Sequence, residues 1–291
     1  MNVAKKLQRA GMNSSKKNSY KFQLSCEQKA SDLQYDTKEW IELQNQLEHT
    51  SSDYKIFTGL LEKKKHIAVK VGISSNLKNE YDVGKSLHAC KNFIGFYCIF
   101  HCTNDIKNVN VGKSLCKSAG NTLGILVMPF YELGRIDKYK WTRENFDVLK
   151  SVLKHTICSL LYAFEQTGFV HRDTHLGNIL LKKTTKKSIM YTKDNIEISI
   201  HSMLPVIMDF DRYVLNKDEV AVKQVYLDIQ RIVSLVRSEL DIKINNTEIM
   251  SALTRYISKQ TLVTKDVYQT LCSLIDSFQI DFVVSEMNLP W

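Results

Sequence analysis

Apolar positions fall into two regimes along the chain. In the first, they form short runs bounded by polar turns: Ile56-Phe57, Ile67-Ala-Val-Lys-Val71, 93–100 and 123–128. Runs of that length predict strands. The first two, separated by the charged turn 62–65, predict a hairpin, and Glu80, Val83 and Leu87 at helical spacing predict a helix after it. A long polar loop, 103–121, precedes the last strand. In the second regime, after Gly134, the period lengthens. Phe146, Leu149, Val152, Leu153, Ile157, Leu160, Leu161 and Phe164 recur every three or four residues, with Thr142 placed to cap the start and Gly168 to end the helix. A short strand at 178–181, a lysine-rich polar insertion and a strand at 205–210 follow. A second amphipathic helix at 219–240 carries Val222, Val225, Ile229, Ile232, Val233 and Val236, and two more helices are expected near 248–258 and 265–278. Strands first and helices second predict an α+β fold in two lobes.

The start of the folded part is marked by Asp36-Thr-Lys-Glu39, which has capping-box spacing ahead of Trp40, Ile41 and Leu47 and predicts a short helix. Before it, Lys5, Lys6, Arg9, Lys16, Lys17 and Lys21 stand among Ser and Asn with no acidic residue up to 26. Residues 1–35 therefore read as a flexible basic arm, a solvated tail before a targeting or nucleic-acid patch.

Composition narrows the classes. The chain has 291 residues, 44% of them hydrophobic, enough to bury a substantial core. Its longest apolar stretches, 122–130 and 278–284, are far short of the roughly 20 residues a membrane helix needs, so no membrane partner is expected. The net charge of +9 favours acidic partners without naming one. Seven cysteines (26, 90, 98, 102, 116, 158 and 272) contain no C-x-x-C pair, which signals neither a disulfide framework nor a zinc ribbon and places the chain in a reducing, intracellular compartment, nuclear or cytoplasmic. Cys98, His101 and Cys102 lie in an apolar run and read as core, not as metal ligands.

The chemistry concentrates in Val170-His171-Arg172-Asp173-Thr174-His175-Leu176-Gly177-Asn178-Ile179-Leu180-Leu181, directly after the long helix. It matches the H-R-D-x-x-x-x-N loop of protein kinases. In that loop the Asp sits beside an incoming hydroxyl, and the Asn five residues on turns back to hold magnesium against the phosphates. Other matches follow in the required order. Ile67-Ala68-Val69-Lys70 resembles the strand whose lysine binds the α- and β-phosphates, with Glu80 as the partner of its ammonium. Leu126-Val127-Met128-Pro129-Phe130-Tyr131 falls at the hinge, with Met128 behind the adenine. Ile207-Met208-Asp209-Phe210-Asp211 falls where D-F-G belongs, and Asp228 matches the buried Asp that braces the catalytic loop.

Within that superfamily the chain resembles the haspin-like serine/threonine kinases. The resemblance rests on His175 two residues after Asp173, the run 171–184, the long insertion between Asn178 and Asp209, the missing D-F-G glycine and Gly134-Arg-Ile-Asp137 after the hinge. The short step from Asp209 to Asp228-Ile229 adds to it. No A-P-E motif lies between them, which argues against switching by activation-loop phosphorylation. The compact layout, rich in Lys, Asn and Ile, also resembles haspin-like kinases encoded by large DNA viruses.

The resemblance implies a bilobal protein-kinase-like domain over 36–291, with a β-rich N-lobe at 36–128, a hinge at 129–134 and a mainly helical C-lobe at 135–291. It implies an ATP-dependent serine/threonine protein kinase using Mg2+. Asp173, Lys70 and Asn178 would be catalytic; Lys70, Glu80, Met128, Phe130, Tyr131 and Gly59 would contact nucleotide; and Asn178 and Asp209 would hold metal. The partner would be a protein substrate, a histone tail first, with Asp137 as a contact for a basic peptide. Two departures keep alternatives open. Gly59 is the sole glycine between Lys55 and Lys70, where a G-x-G-x-x-G loop belongs, so a pseudokinase scaffold remains a second reading. The short Asp-x-His-x-Gly-Asn loop is shared with small-molecule phosphotransferases, a third. Lys182, Lys183, Lys186 and Lys187 lie in the insertion without a nucleic-acid motif beside them, which disfavours direct nucleic-acid binding. The oligomeric state is not legible.

Overall fold

A computed structural model describes residues 41–47, 54–61, 64–101, 123–191, 196–240 and 243–281. The basic arm, the capping box at 36–39 and the loop at 103–121 lie outside them. The described chain is α+β and divides into two compact units. One takes the residues up to Lys85 together with Ile94–Phe130, and the other takes Ser86–Phe93 and the residues from Tyr131 onward.

The first unit is an antiparallel sheet of β1 (Ile41–Gln46), β2 (Tyr54–Leu61), β3 (Lys65–Ile73), β4 (Cys98–His101) and β5 (Leu123–Pro129) in the order β1-β2-β3-β5-β4, with helix α1 (Ser74–Ser86) following β3. The 54–72 hairpin forms with Ile56 opposite Lys70. Side chains alternate between faces. Ile67, Val69 and Val71 of β3 join Leu43, Phe57, Leu61, Ile125 and Val127 in one core cluster. Ala68 and Lys70 are therefore turned to the opposite face.

Two expectations fail in this unit. Ile41 and Leu47 do not begin a helix: Ile41–Gln46 is a strand in which Ile41 and Leu43 are buried and Glu42 and Gln44 less so. That period of two, paired to β2, outweighs the capping-box spacing upstream. The strand expected over 93–100 starts only at Cys98, because Phe93 to Tyr97 run as irregular backbone, with Tyr97 N–H donating to Val127 O at 2.8 Å. Cys98 itself is fully buried. It is also disulfide-bonded, which the absence of a C-x-x-C pair did not signal.

The second unit is built around α2 (Phe146–Thr167), whose apolar stripe is buried over its whole length. Its N-cap position is Asn145; the Asn145 Oδ1 accepts from the N–H of Thr142, so Thr142 precedes the cap and is not itself the cap. Gly168 ends the helix at φ +74°, and a Cβ there would lie 2.8 Å from Asn216 O, so glycine is required twice over. Next come β6 (Phe169–Val170) paired with β11 (Val214–Leu215), and β7 (Ile179–Lys183) paired with β10 (Met203–Ile207). The insertion between β7 and β10 is not simply a polar loop: it holds the hairpin β8 (Ser188–Tyr191) and β9 (Ile196–Ser199). Helices α3 (Glu219–Glu239), α4 (Thr247–Lys259) and α5 (Lys265–Asp276) follow, with β12 (Lys243–Ile244) pairing β13 (Ile280–Asp281). The Asp218 side chain caps α3 by accepting from Ala221 N–H at 2.7 Å.

Ser86–Phe93 is held in the second unit by specific bonds. The amide of Asn92 donates to Ser159 Oγ (2.9 Å) and to Tyr191 OH (2.7 Å), and Asn92 O accepts from Ile207 N–H (2.8 Å). The Phe93 ring packs edge-on against Phe169 at 5.5 Å and tilted against Phe210 at 6.1 Å. Among the described residues, no helix is long and apolar enough to cross a membrane.

Candidate functional site

In the first unit, Lys70 stands on β3 between Ile56 of β2 and Leu126 of β5. It is only 4% exposed, and its Nζ donates to Glu80 Oε2 of α1 at 2.8 Å. The ten-residue step between the two suffices because β3 passes directly into α1 and Glu80 lies on that helix's buried side. The Tyr54 ring lies 4.1 Å from the same ammonium, a cation–π contact. Isolated charges do not stay buried without such partners.

Met128 is buried near the end of β5, opposite Ala68, while Phe130 and Tyr131 are half-buried where the chain leaves the first unit for the second. Gly59 has a packing reason. It sits inside β2 opposite Leu43, and a Cβ would lie 2.6 Å from Glu42 O, so it lets β1 approach. The connection between β1 and β2, where a phosphate-cradling loop would be sought in this sheet order, contains no glycine.

In the second unit, the loop from His171 to Asn178 is pinned from α3. Asp228 is 3% exposed, and its Oδ2 accepts from the N–H groups of both His171 and Arg172, each at 3.0 Å. Thr174 Oγ1 donates to Asp228 O at 3.0 Å and approaches Oδ1 at 3.3 Å. Burial raises the Asp228 pKa above the usual carboxylate value, against the opposing pull of the Arg172 and His171 amides and the Thr174 hydroxyl. Two amides converging on one oxygen hold Arg172 at φ +65°, a left-handed conformation that a non-glycine residue adopts only under constraint.

The same loop orients its polar groups. Asn178 Nδ2 donates to Asp173 O at 3.0 Å, and Asn178 O accepts from Met208 N–H at 3.0 Å, which ties the loop to the residue before Asp209. Asp209 is half-buried at φ +68°, just past the end of β10. His171 Nε2 lies 2.9 Å from Met208 O; a carbonyl only accepts, so Nε2 carries the proton and the buried Nδ1 is left without a partner. Its ring stacks edge-on with Phe169 and Phe210, completing an aromatic cluster with Phe93.

Asp173 is not isolated. Arg231 Nη1 lies 3.4 Å and Arg212 Nη1 3.7 Å from its Oδ1. His175, just beyond, has its pKa lowered by burial, partly offset by the Asp173 carboxylate. Asp137 grips Arg135 through both oxygens, at 2.9 and 2.5 Å. Burial alone would raise the Asp137 pKa, but the Arg135 hydrogen bond and charge leave it lowered. Sequence reasoning missed Arg231 and Arg212. For Arg231 a signal existed: it stands three residues after Asp228 on a helix, hence on nearly the same face.

The second unit thus brings Asp173, Asn178 and the Asp209 segment together, and the first pairs Lys70 with Glu80. The donor set of Asn178 and Asp209 is all oxygen, which suits a hard cation taking one or two protein ligands and completing its shell with phosphate oxygens and water. No protein-family model matches the chain. It is 33% identical over 96 residues to the serine/threonine-protein kinase haspin of Mus musculus, a stretch covering 32% of this chain and 13% of that protein. It is also 33% identical over 105 residues to haspin of Bos taurus, covering 35% of this chain and again 13% of the relative. The chain is therefore similar to protein kinases over about a third of its length, in an α+β framework compatible with that fold.

Proposed function

We propose that this chain is an ATP- and Mg2+-dependent protein kinase that phosphorylates serine or threonine, with its two units as the lobes of a haspin-like kinase domain. The observation that carries the reading is the buried Lys70–Glu80 ion pair at 2.8 Å. Burying both charges is costly, and replacing such a pair by apolar residues is often neutral or stabilising. An oriented ammonium among β-strands has a use if phosphate oxygens are its second partner.

The roles follow from the chemistry of each group. Lys70 neutralises phosphate charge and Glu80 holds it in one rotamer. Met128, Phe130 and Tyr131 supply the apolar surroundings of a base. Asn178 and Asp209 hold magnesium, which when bound neutralises charge on the transferred phosphoryl group. Asp173 orients the substrate hydroxyl and takes its proton as the oxygen attacks. Asp228 keeps the loop in place through the His171 and Arg172 amides. Gly59 is better explained by the close approach of β1 than by contact with nucleotide.

The test is Asp173→Asn with labelled ATP, a histone mixture and an unrelated basic protein. Turnover should fall by about 10² to 10⁴, the range for loss of a general base, while nucleotide binding is retained. Equal phosphorylation by both proteins would refute the assignment. Stabilisation by Mg-ATP with no transfer to any protein would favour the scaffold reading, which the lack of glycine between β1 and β2 supports.

A further inference from the structure

Two thiols stand face to face in the second unit, away from the loop described above. Cys158 on α2 and Cys272 on α5 are both free and 114 residues apart in sequence, yet their Sγ atoms lie 3.5 Å from each other. A disulfide has an S–S bond of about 2.05 Å, so the sulfurs need to close by only about 1.5 Å. The helices are clamped beside them. Lys154, one turn before Cys158, donates from Nζ to Asp276 Oδ1 at 2.6 Å, and Asp276 is one turn after Cys272. That ion pair fixes the two helices in the register that keeps the thiols opposed.

The two sulfurs are not equivalent. Cys158 is fully buried, whereas Cys272 is 8% exposed and opens onto a cleft of roughly 450 Å³ between β9 and α5, whose wall includes Ile198, Gln269 and Ser273. A hydrogen bond received from the Cys158 thiol lowers the Cys272 pKa, and the Lys154 ammonium adds to this against the opposing effect of burial. Donating that bond, together with burial, raises the Cys158 pKa well above its ordinary value. Cys90 offers a contrast. It too is 8% exposed, but burial holds its pKa up at about 11. Buried cysteines often serve only as small hydrophobes. A thiolate-prone sulfur at a cleft, backed by a second thiol, has a chemical use as well.

We infer that Cys158 and Cys272 form an oxidisable dithiol that hydroperoxides convert to a disulfide, stapling α2 to α5. The inference is independent of the kinase reading. The Cys272 thiolate attacks one peroxide oxygen; the O–O bond breaks, the departing hydroxide takes up the proton Cys272 has released, and Cys272 becomes a sulfenic acid. Cys158 Sγ then attacks Cys272 Sγ. The S–S bond forms, the S–O bond breaks, and the hydroxyl leaves with the Cys158 proton as water. In sum, two thiols lose two hydrogens and one peroxide is reduced to two waters. A dithiol reductant reverses the bond by exchange. The staple restricts a long stretch of the unfolded chain and ties the last helix to α2, which ends just ahead of the His171–Asn178 loop.

The experiment uses the full chain, reduced, then exposed under native conditions to hydrogen peroxide, with remaining thiols alkylated in urea at intervals. Mass spectrometry of the digest should find the Cys158 and Cys272 peptides joined and lighter by two hydrogens; the Cys98 bond is read from its own peptides. Cys272 should be consumed about tenfold faster than Cys90. C158S should halt Cys272 at the sulfenic acid, captured by a 1,3-dione, and C272S should leave Cys158 unmodified. The crosslinked chain should melt higher by on the order of 10 °C, a shift reversed by dithiothreitol and absent in both variants. If a variant melts early, the parent's linkage and the Cys90 comparison decide alone. Cys272 consumed no faster than Cys90, a crosslink that forms only in denaturant, or Cys158 oxidised at an unchanged rate in C272S overturns the inference. A crosslinked chain that melts no higher than the reduced one overturns the staple.

Discussion

Removing the Asp228 carboxylate should be the most damaging single change to the second unit. In Asp228→Ala the Thr174 hydroxyl keeps the backbone carbonyl of residue 228 as acceptor, but the N–H groups of His171 and Arg172 both lose theirs. His171 and Thr174 are 1% and 3% exposed, so water has little access. An unsatisfied buried donor costs about 1–3 kcal/mol; the buried His171 amide bears that in full and the part-buried amide of the exposed Arg172 less, so the pair costs about 2–4 kcal/mol. Against a typical total of about 5–15 kcal/mol that is severe, and at about 2–4 °C per kcal/mol for a unit of this size the melting temperature should fall by on the order of 10 °C. Asp228→Asn is the informative control. Its amide oxygen can occupy the Oδ2 position and accept from both N–H groups, while its NH2 faces a Thr174 hydroxyl able to accept. Only the charge is lost, and the cost should be about 1–2 kcal/mol. Turnover measured well below either melting point should separate further: once Arg172 is released from φ +65°, Asp173 shifts, and a displacement of about 1 Å costs about 10² in rate. Differential scanning fluorimetry and initial rates on both variants check this. A melting point for Asp228→Ala within 2–3 °C of the parent, about 1 kcal/mol, would show that the amides find other partners and that the brace is dispensable.

Three other outcomes are expected. The His155 imidazole, fully buried, donates from Nε2 to Ser199 O (3.1 Å) and accepts at Nδ1 from Tyr191 OH (2.8 Å); burial lowers its pKa from 6.5 to about 4. The unfolded chain therefore binds the proton first, so His155's contribution is complete above pH 6.5 and is lost as pH falls towards 4, and His155→Gln should flatten that part of a melting-temperature profile. Gly59→Ala sets a Cβ 2.6 Å from Glu42 O and should destabilise the first unit by about 1–3 kcal/mol, read as a lower urea midpoint; no change would mean that β1 moves aside freely. Lys70→Met takes the buried cationic partner from the Glu80 carboxylate and should destabilise the first unit by up to about 3–5 kcal/mol, whereas Lys70→Met with Glu80→Leu should recover much of that stability while nucleotide binding stays lost; isothermal titration with Mg-ATP and melts of both variants test the two halves separately.

What could be read from sequence divides along physical lines. Helices α2 and α3 were legible because more than five turns of unbroken periodicity accumulate a signal that no local exception cancels. The Lys70 strand was legible because Ile67, Ala68, Val69 and Val71 form a short apolar run broken only by the lysine itself. β1 was not: six residues with only Ile41 and Leu43 buried resemble the start of an amphipathic helix until β2 is alongside. The β8–β9 hairpin hid among lysines, since its buried Ile189, Tyr191, Ile196 and Ile198 alternate over two four-residue strands. In the site, short-range spacing exposed Asp173 and Asn178. The Arg212 contact links residues 39 positions apart, a distance at which spacing carries no information, and the Arg231 contact, 58 positions from Asp173, was readable only indirectly, through Asp228 three residues before it on α3.

The placement of Ser86–Phe93 governs how the chain can be divided. The backbone passes from one unit to the other three times, after Lys85, after Phe93 and after Phe130, so no single cut delivers both units whole. A fragment starting at Tyr131 inherits the entire His171–Asn178 loop yet forfeits Asn92 and Phe93. It leaves the Ile207 amide without its acceptor, Tyr191 and Ser159 without a donor, and one side of the Phe169 and Phe210 rings bare. A split version of this protein must therefore return 86–93 to the helical half, as a tethered or separately added strand of peptide, before its His171–Asn178 loop can be expected to hold its shape.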